Sequence, residues 1–348
     1  MTRKFFLASI LIVCSLLSVF PQAGKGIYRF LDLPVSSRMA AVGGSNISLR
    51  DNDINFAFTN PALLTSETSG DIGLNMANYL SDIKFGTAVY GQNFGNKNYM
   101  SFGVQYVDMG NFDGRDKLDV EQGTFTAKDM ALYVSYARPL NKYFSVGASF
   151  KPIVSAYERY TSVGVAMDAG VSYMDSVGLF SAGLVLRNMG MQLKSYYSDE
   201  DGQHREALPF DIQLGASKKF AHAPFRFSLT LNNLNRWDLS YQTTNATQTN
   251  LDGTTTDNSI SFVDMAFRHA IFGIEFVPSN NFYLAMGYNH RRHQEMAISD
   301  FKSMAGFSFG GGVKLYKFHV GFGMTQYQVG NYAYQFSIST ALDQFKDL

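Results

Sequence analysis

The sequence predicts an all-β fold: a transmembrane antiparallel β-barrel of about fourteen strands, with a plug segment ahead of it. Three observations predict it. Apolar and polar side chains alternate from about residue 72 onward. The composition is rich in aromatics and poor in charge. The connections between the alternating runs are by turns tight and long.

The alternation carries most of the weight. Phe225, Phe227, Leu229 and Leu231 are separated by Arg226, Ser228 and Thr230. A strand turns successive side chains to opposite faces, so one face is apolar and the other polar. Ile212 and Leu214 alternate with Asp211 and Gln213, and Met100, Phe102, Val104 and Tyr106 with Ser101, Gly103 and Gln105. Phe318, Val320, Phe322 and Met324 do the same against Lys317, His319, Gly321 and Gly323. In the last strand Tyr332, Tyr334, Phe336 and Ile338 are expected to face lipid, and Gln335, Ser337 and Ser339 the lumen. A soluble sandwich alternates too. Here, however, the apolar face is Phe, Tyr, Met and Leu in nearly every strand. The other face is Gly, Ala, Ser and Gln, with Asp168, Arg187 and Glu275 among them, as a wet or polar lumen requires.

Composition agrees. The 348 residues are 15% aromatic and only 17% charged, below the usual quarter. A soluble surface of that make-up would expose apolar patches. Lys+Arg and Asp+Glu both number 29, so the net charge is zero, which excludes the basic excess of a nucleic-acid binder.

Strands are expected to begin near Ile72, Lys84, Tyr99, Met130, Phe144, Gly164, Phe180, Phe210, Phe225, Ile271, Phe282, Gly306, Lys317 and Tyr332. The connections GNKN, RPLNKY, MDSV, KKFAHAP, VPSN and the turn at Tyr316 follow even-ranked strands and are tight. The stretches 107–127, 189–208, 233–270 and 290–304 follow odd-ranked strands and are long. Short periplasmic turns alternating with long extracellular loops mark outer-membrane barrels, and an even strand count leaves both chain ends periplasmic.

Residues 1–23 read as a cleaved signal peptide: Arg3 and Lys4, an apolar run from Phe5 to Phe20, and cleavage after Ala23. The only cysteine, Cys14, would leave with it, so the mature chain would have no disulfide and no thiolate. No other segment is long and apolar enough for a spanning helix. Residues 24–70 do not alternate and are expected to plug the barrel formed by residues 71–348. Within them SSRMAAV suggests a short helix capped by Ser36 or Ser37 and broken by Gly43 and Gly44. In the motif Asn60, Pro61, Ala62, the asparagine can cap a turn with proline at its first position.

Candidate chemical sites are sparse. His290, Arg291, Arg292 and His293 form HRRH. A metal pair would need a third ligand and an aligning helix. A solvated external loop is the commoner reading, with Arg291 and Arg292 able to touch lipopolysaccharide phosphate. Gly310, Gly311 and Gly312 lack the lysine of a phosphate loop and are expected to relieve crowding in a bent strand. Asn245-Ala-Thr matches an acceptor sequon only by chance. Asp51 and Asp53 lack the glycine and closing glutamate of a calcium loop. With no triad signature, no catalytic, cofactor or metal site is expected, and the chain is read as a non-enzyme.

The segment YRFLDLPVSSRMAAVGGSNISLRDNDINFAFTNPALL resembles the opening of the PorQ family, outer-membrane components of the type IX secretion system. NYLSDIKFGTAVY, VQYVDMGNFDG and LPFDIQLGASKKFAHAPFRFSLTLNNLNRW are similar to the same family. KKFAHAPFRFS followed by RW is specific, whereas NPALL is shared with FadL-like transporters. The resemblance covers the whole mature chain. It implies a FadL-like barrel with an N-terminal plug, acting as a non-enzymatic scaffold of the attachment complex. The implied partners are PorZ, PorV and the sortase PorU, with secreted cargo attached to the surface, often to lipopolysaccharide. The rival reading is a FadL-like transporter of hydrophobic small molecules. A transporter should show an apolar path from the loops through a lateral kink; a scaffold should show a plugged lumen and broad external loops.

Overall fold

A computed structural model describes residues 26–79, 82–115, 119–175, 177–200, 202–239, 247–249, 255–257, 260–296, 304–328 and 330–345. Residues 1–23, Cys14 and the sequon at Asn245 lie outside them, as does most of 245–258.

Among the described residues, fourteen strands close a barrel. They are β1 (Asp71–Asn78), β2 (Lys84–Asn93), β3 (Tyr99–Arg115), β4 (Glu121–Pro139), β5 (Phe144–Tyr157), β6 (Tyr160–Met174) and β7 (Phe180–Lys194). Then follow β8 (Asp211–Lys219), β9 (Phe225–Leu231), β10 (Ala270–Ser279), β11 (Phe282–Asn289), β12 (Phe307–Leu315), β13 (Phe318–Gln328) and β14 (Asn331–Ala341). Every barrel strand pairs antiparallel with its sequence neighbours, and β14 closes on β1 from Asp71↔Ala341 to Asn78↔Tyr334. Closure removes the free edges that an open sheet would leave unpaired. No helix among the described residues is long and apolar enough to cross a membrane.

Two strand boundaries differ from the sequence expectation. The stretch 107–127, expected as a loop, is mostly ladder, since β3 and β4 stay paired out to Arg115↔Glu121. Phe112 and Phe125 stack there at 5.3 Å. The register shifts between Asp108 and Asn111, around Gly110 in a left-handed conformation (φ 83°), and this bulge breaks the alternation that would have revealed the strand. Likewise β6 begins at Tyr160 rather than Gly164, so only Glu158 and Arg159 turn the chain after β5, with Glu158 at φ 54°.

The two faces separate as the pattern requires. Phe102, Phe150, Leu184, Phe227, Phe322 and Phe336 are exposed on the outside, while Gln105, Ser135, Ser149, Gln213, Thr230 and Gln335 are buried on the inside. In β14, Phe336 is 57% exposed and its neighbour Gln335 only 4%.

The inside is polar on its wall and packed with the plug. Residues 26–70 run through the lumen from the long-loop end to the tight-turn end. At the first, Ile27 N–H donates to Ala207 O (3.2 Å) and Tyr28 hydroxyl meets Ser162 Oγ (2.5 Å). At the second, Gly70 N–H donates to Gly91 O (2.9 Å) and its carbonyl accepts from Leu342 N–H (2.8 Å). The barrel's own ends, Asp71 and Ala341, share the tight-turn rim, but Gly26 sits at the opposite end. The expectation that both chain ends lie together is corrected on this point, because it counted strand parity and ignored the passage of the plug through the lumen.

Helix α1 (Ser37–Ala41) forms where Ser36, the better placed of two candidate caps, accepts from Met39 N–H (3.3 Å). Gly43 and Gly44, both at φ 103°, end it. It lies against β11–β14. A single 3-10 turn, Pro61–Leu63, rests on the other wall, β4–β6.

Candidate functional site

The plug's backbone must be satisfied away from water, and the inner wall does so. Gln105 donates to Phe30 O (2.8 Å), Thr87 to Val35 O (2.9 Å), Ser181 to Ser48 O (2.7 Å), Ser308 to Ala41 O (3.0 Å) and Gln335 to Pro34 O (3.0 Å). Ser337 Oγ accepts from Ser37 N–H at 2.8 Å. The polar alternate positions of the strands are thus partners of the plug.

The small positions make room for it. A Cβ at Gly287 would stand 2.1 Å from Gly43 N, and one at Gly323 2.4 Å from Ser37 O. The Asn60, Pro61, Ala62 turn sits in a niche of the same kind: a Cβ at Gly170 would meet Asn60 Oδ1 at 2.2 Å and one at Gly147 would meet Ala62 N at 2.6 Å. Asn60 caps that turn through Ala62 N–H (3.0 Å) and donates to Ile47 O (2.8 Å), tying two limbs of the plug. Gly310 makes room for the plug too, while Gly312 relieves crowding within the wall. They leave space for Ala41 Cβ and the Tyr283 ring, whose atoms would lie 2.7 and 2.3 Å from an added Cβ.

Two buried ionic clusters lock the interior. In the first, Arg38 of α1 bonds Glu275 of β10 (2.8 Å) and Asp51 (2.5 Å), and faces Asp53 at 3.6 Å. Arg226 of β9 bonds the other oxygen of Glu275 (2.8 Å) and Asp51 (2.9 Å). The Arg38 guanidinium also lies over Tyr283, 4.9 Å from the ring centre. Burial alone would raise the Asp51 carboxyl, but the two arginines outweigh it and hold Asp51 well below the usual carboxylate range. Asp53 has a smaller share of Arg38, and burial pushes it up. In the second cluster, Lys151 of β5 bonds Asp168 of β6 (2.5 Å) and Asn188 of β7 (2.9 Å), while Asp168 accepts from Asn188 N–H (2.8 Å). Asn188 is left-handed (φ 55°), at the bulge where the β6–β7 register shifts.

Two cavities flank the plug and share no lining residue. The one at the tight-turn end, about 530 Å³, is polar, lined by Arg38, Asp51, Glu67, Lys219, Lys314 and His319 among others. The one at the long-loop end, about 630 Å³, has walls of Tyr28, Phe30, Ile83, Val107, Met109, Tyr157, Tyr196 and Tyr327. Arg29, Arg291, Arg292 and Glu295 also line it, with Asp129 buried in its wall.

The HRRH segment, expected as a solvated loop, is a helix: α3, His290–Glu295, capped by Asn289, which accepts from Arg292 N–H (3.0 Å). Arg291 pairs with Glu295 one turn on (2.7 Å), and Arg292 lies 4.3 Å from the Tyr327 ring centre. His290 Nε2 meets Asp264 (2.7 Å) and His293 Nδ1 meets Ala305 O (2.8 Å), so the histidines serve separate partners. Burial works against ionisation of Asp264, but hydrogen bonds from His290 and Arg268 prevail and lower its pKa. The helix escaped the sequence reading because it has no periodic apolar face of its own and packs on Tyr288 of β11 and Tyr327 of β13.

No family profile and no curated protein matches the chain. Solved structures do. The Pseudomonas putida toluene transporter TodX superposes with a TM-score of 0.55 at 9% identity, covering 88% of this chain and 96% of that one. The Ralstonia pickettii toluene transporter TbuX gives 0.52 at 10% identity, covering 89% and 97%. A Pseudomonas aeruginosa FadL homologue gives 0.50 at 9% identity, covering 92% and 100%. The fold is therefore FadL-like: a closed antiparallel barrel of fourteen strands. At such identities the likeness is one of fold.

Proposed function

We propose that this chain is an integral outer-membrane barrel whose external mouth takes up a hydrophobic or amphipathic small molecule, without catalysing a reaction. The observation that carries this is the cavity of about 630 Å³ at the long-loop end, apolar in its walls and lined in part by arginines. Small-molecule sites are commonly of this kind and size. The likeness to barrels described as toluene transporters supports the reading. The apolar outer face supports a place in lipid, since such a belt in water would be costly. Arg291 and Arg292 then serve the mouth rather than lipopolysaccharide. Onward passage would need the plug to shift. The test is binding of toluene and of a long-chain fatty acid to purified, reconstituted protein. Saturable binding that weakens in Ile83→Glu and Tyr327→Ala supports the reading. Equal, non-saturable partition into all three proteins overturns it.

One observation favours a second reading, a surface anchor for secretion partners: the plug is bonded to both walls of the barrel. This fits a scaffold with PorZ, PorV and the PorU sortase, as the resemblance implies. Affinity purification from intact outer membranes tests it, and absence of all three partners would remove it.

A further inference from the structure

The long connection after β9 carries an apolar surface that the mouth cavity does not use. Helix α2 (Phe262–Arg268) is capped by Ser261, which accepts from Asp264 N–H at 3.2 Å. Its residues divide three ways around the axis. Met265 is buried and accepts from Leu239 N–H. Asp264 and Arg268, one turn apart, pair at 2.8 Å, and Asp264 reaches His290 of α3. Phe262, Val263 and Phe267 share the remaining face and are 74%, 61% and 47% exposed. Trp237 stacks on Phe262, with ring centres 4.9 Å apart, and is itself half-exposed.

This face is continuous with the outside of the barrel. The Phe267 ring lies 6.2 Å from that of Phe272 in β10, and Phe272 pairs with outward-facing Leu229 of β9. The polar side of α2 turns instead toward α3 at the mouth. An apolar patch that prolongs a lipid-facing wall just past the strand ends lies where aromatic side chains favour the membrane–water boundary. A helix with one apolar and one charged side suits the same place.

We infer that α2 and Trp237 form an interfacial anchor immersed in the outer leaflet beside β9 and β10, so that their occupant is lipid. This rests on the membrane-spanning reading proposed above. Through Asp264 the same helix is tied to α3, whose Arg291 and Arg292 line the cavity.

Trp237 is the single tryptophan of the sequence, so its fluorescence reports on the patch alone. The full chain is folded into phosphatidylcholine vesicles whose acyl chains carry bromine near the headgroup or near the chain end. The same is done with a Trp237→Phe, Phe336→Trp variant, which places the reporter on the outer wall of β14. The expected result is loss of Trp237 emission with bromine near the headgroup, less loss with bromine at the chain end, and weak quenching by aqueous acrylamide. Phe262→Glu with Val263→Glu should shift the emission to the red and restore acrylamide quenching, while heat-modifiable gel mobility shows the barrel intact. If bromolipid quenches the Phe336→Trp reporter but not Trp237, the barrel spans the membrane and the anchor is wrong; the patch then faces water or a protein. If neither reporter is quenched, the membrane-spanning reading fails and the anchor falls with it.

Discussion

Arg38 of the plug donates to Glu275 of the barrel wall at 2.8 Å, and Glu275 is almost wholly buried. Its other oxygen binds Arg226 of the neighbouring strand. One carboxylate thus ties the plug to β9 and β10. Removing it in Glu275→Ala would leave two buried guanidinium groups sharing Asp51, a loss of the order of 3–5 kcal/mol. The expected outcome is a plug that opens before the barrel melts. It would be read as higher ion conductance in planar bilayers and cleavage of residues 26–70 by added protease. Conductance equal to the parent's would show that the hydrogen bonds to the plug backbone suffice.

Acid should loosen the same lock. The folded pKa of Asp51 is depressed from 3.8, so its contribution is complete above that value and is lost as the pH falls through the folded value. Asp53, raised by burial, works in the opposite sense and favours the folded state when protonated. Plug opening is therefore expected only at strongly acid pH. Asp51→Asn removes the titrating group, so its plug should be looser at every pH and lack this acid step, and conductance against pH in the two proteins measures the difference.

Among the described wall glycines, Gly287 leaves the plug least room: a Cβ there would stand 2.1 Å from Gly43 N. Because the obstacle is backbone, α1 must retreat as a unit, and Gly287→Ala should cost about 1–3 kcal/mol or expel the helix. Gly311→Ala is milder, since an added Cβ there would meet nothing nearer than 3.0 Å. Urea titration followed by heat-modifiable mobility compares them. Equal midpoints would mean that the plug packs less tightly than the distances state.

Phe336 and Ser337 test the register of the last strand, and they should fail differently. Phe336→Arg places a charge on the lipid side and should destabilise the barrel by about 2–4 kcal/mol near the midplane. On strand pattern alone, Ser337→Arg would be the mild control. The bond from Ser37 N–H to Ser337 Oγ shows that this side is occupied. Ser337→Arg should leave the barrel able to fold but raise conductance by displacing α1. Folding yield into vesicles and conductance separate the two effects.

In the second cluster Lys151 is fully buried with Asp168. Lys151→Met alone should cost about 3–5 kcal/mol by leaving an unpaired buried carboxylate. Adding Asp168→Asn removes that charge and keeps an acceptor for Asn188 N–H, so the double variant should recover most of the loss. A double variant as unstable as the single would point to the Lys151–Asn188 bond instead.

An epitope inserted after Glu200, at the tip of the hairpin Ser198–Asp199 with Gly202–Gln203, should be labelled on intact cells. Labelling only after rupture would invert the barrel. Thr254, in the longest connection, would report the same side but lies outside the described residues.

What the sequence determined by itself is local. The two-residue period of Phe225 to Leu231 sets faces because each side chain's direction depends only on its own place along the strand. Most strand starts, the tight turn at Tyr316, and the caps at Ser36 and Asn60 were legible for the same reason: each rests on residues within a few positions. The period failed where a bulge slips it by one, at Gly110, and where a helix takes its partners from other strands, at His290–Glu295. Only the tertiary structure decided what the inner face is for. Nothing near Arg38 in the chain points to Glu275, and nothing near Gly287 announces Gly43. Serine, glutamine and glycine at alternate positions satisfy a wet lumen and a packed one equally well on paper. Closing the barrel around residues 26–70 is what turns those small and polar positions into hydrogen-bond donors and clearance for a plug.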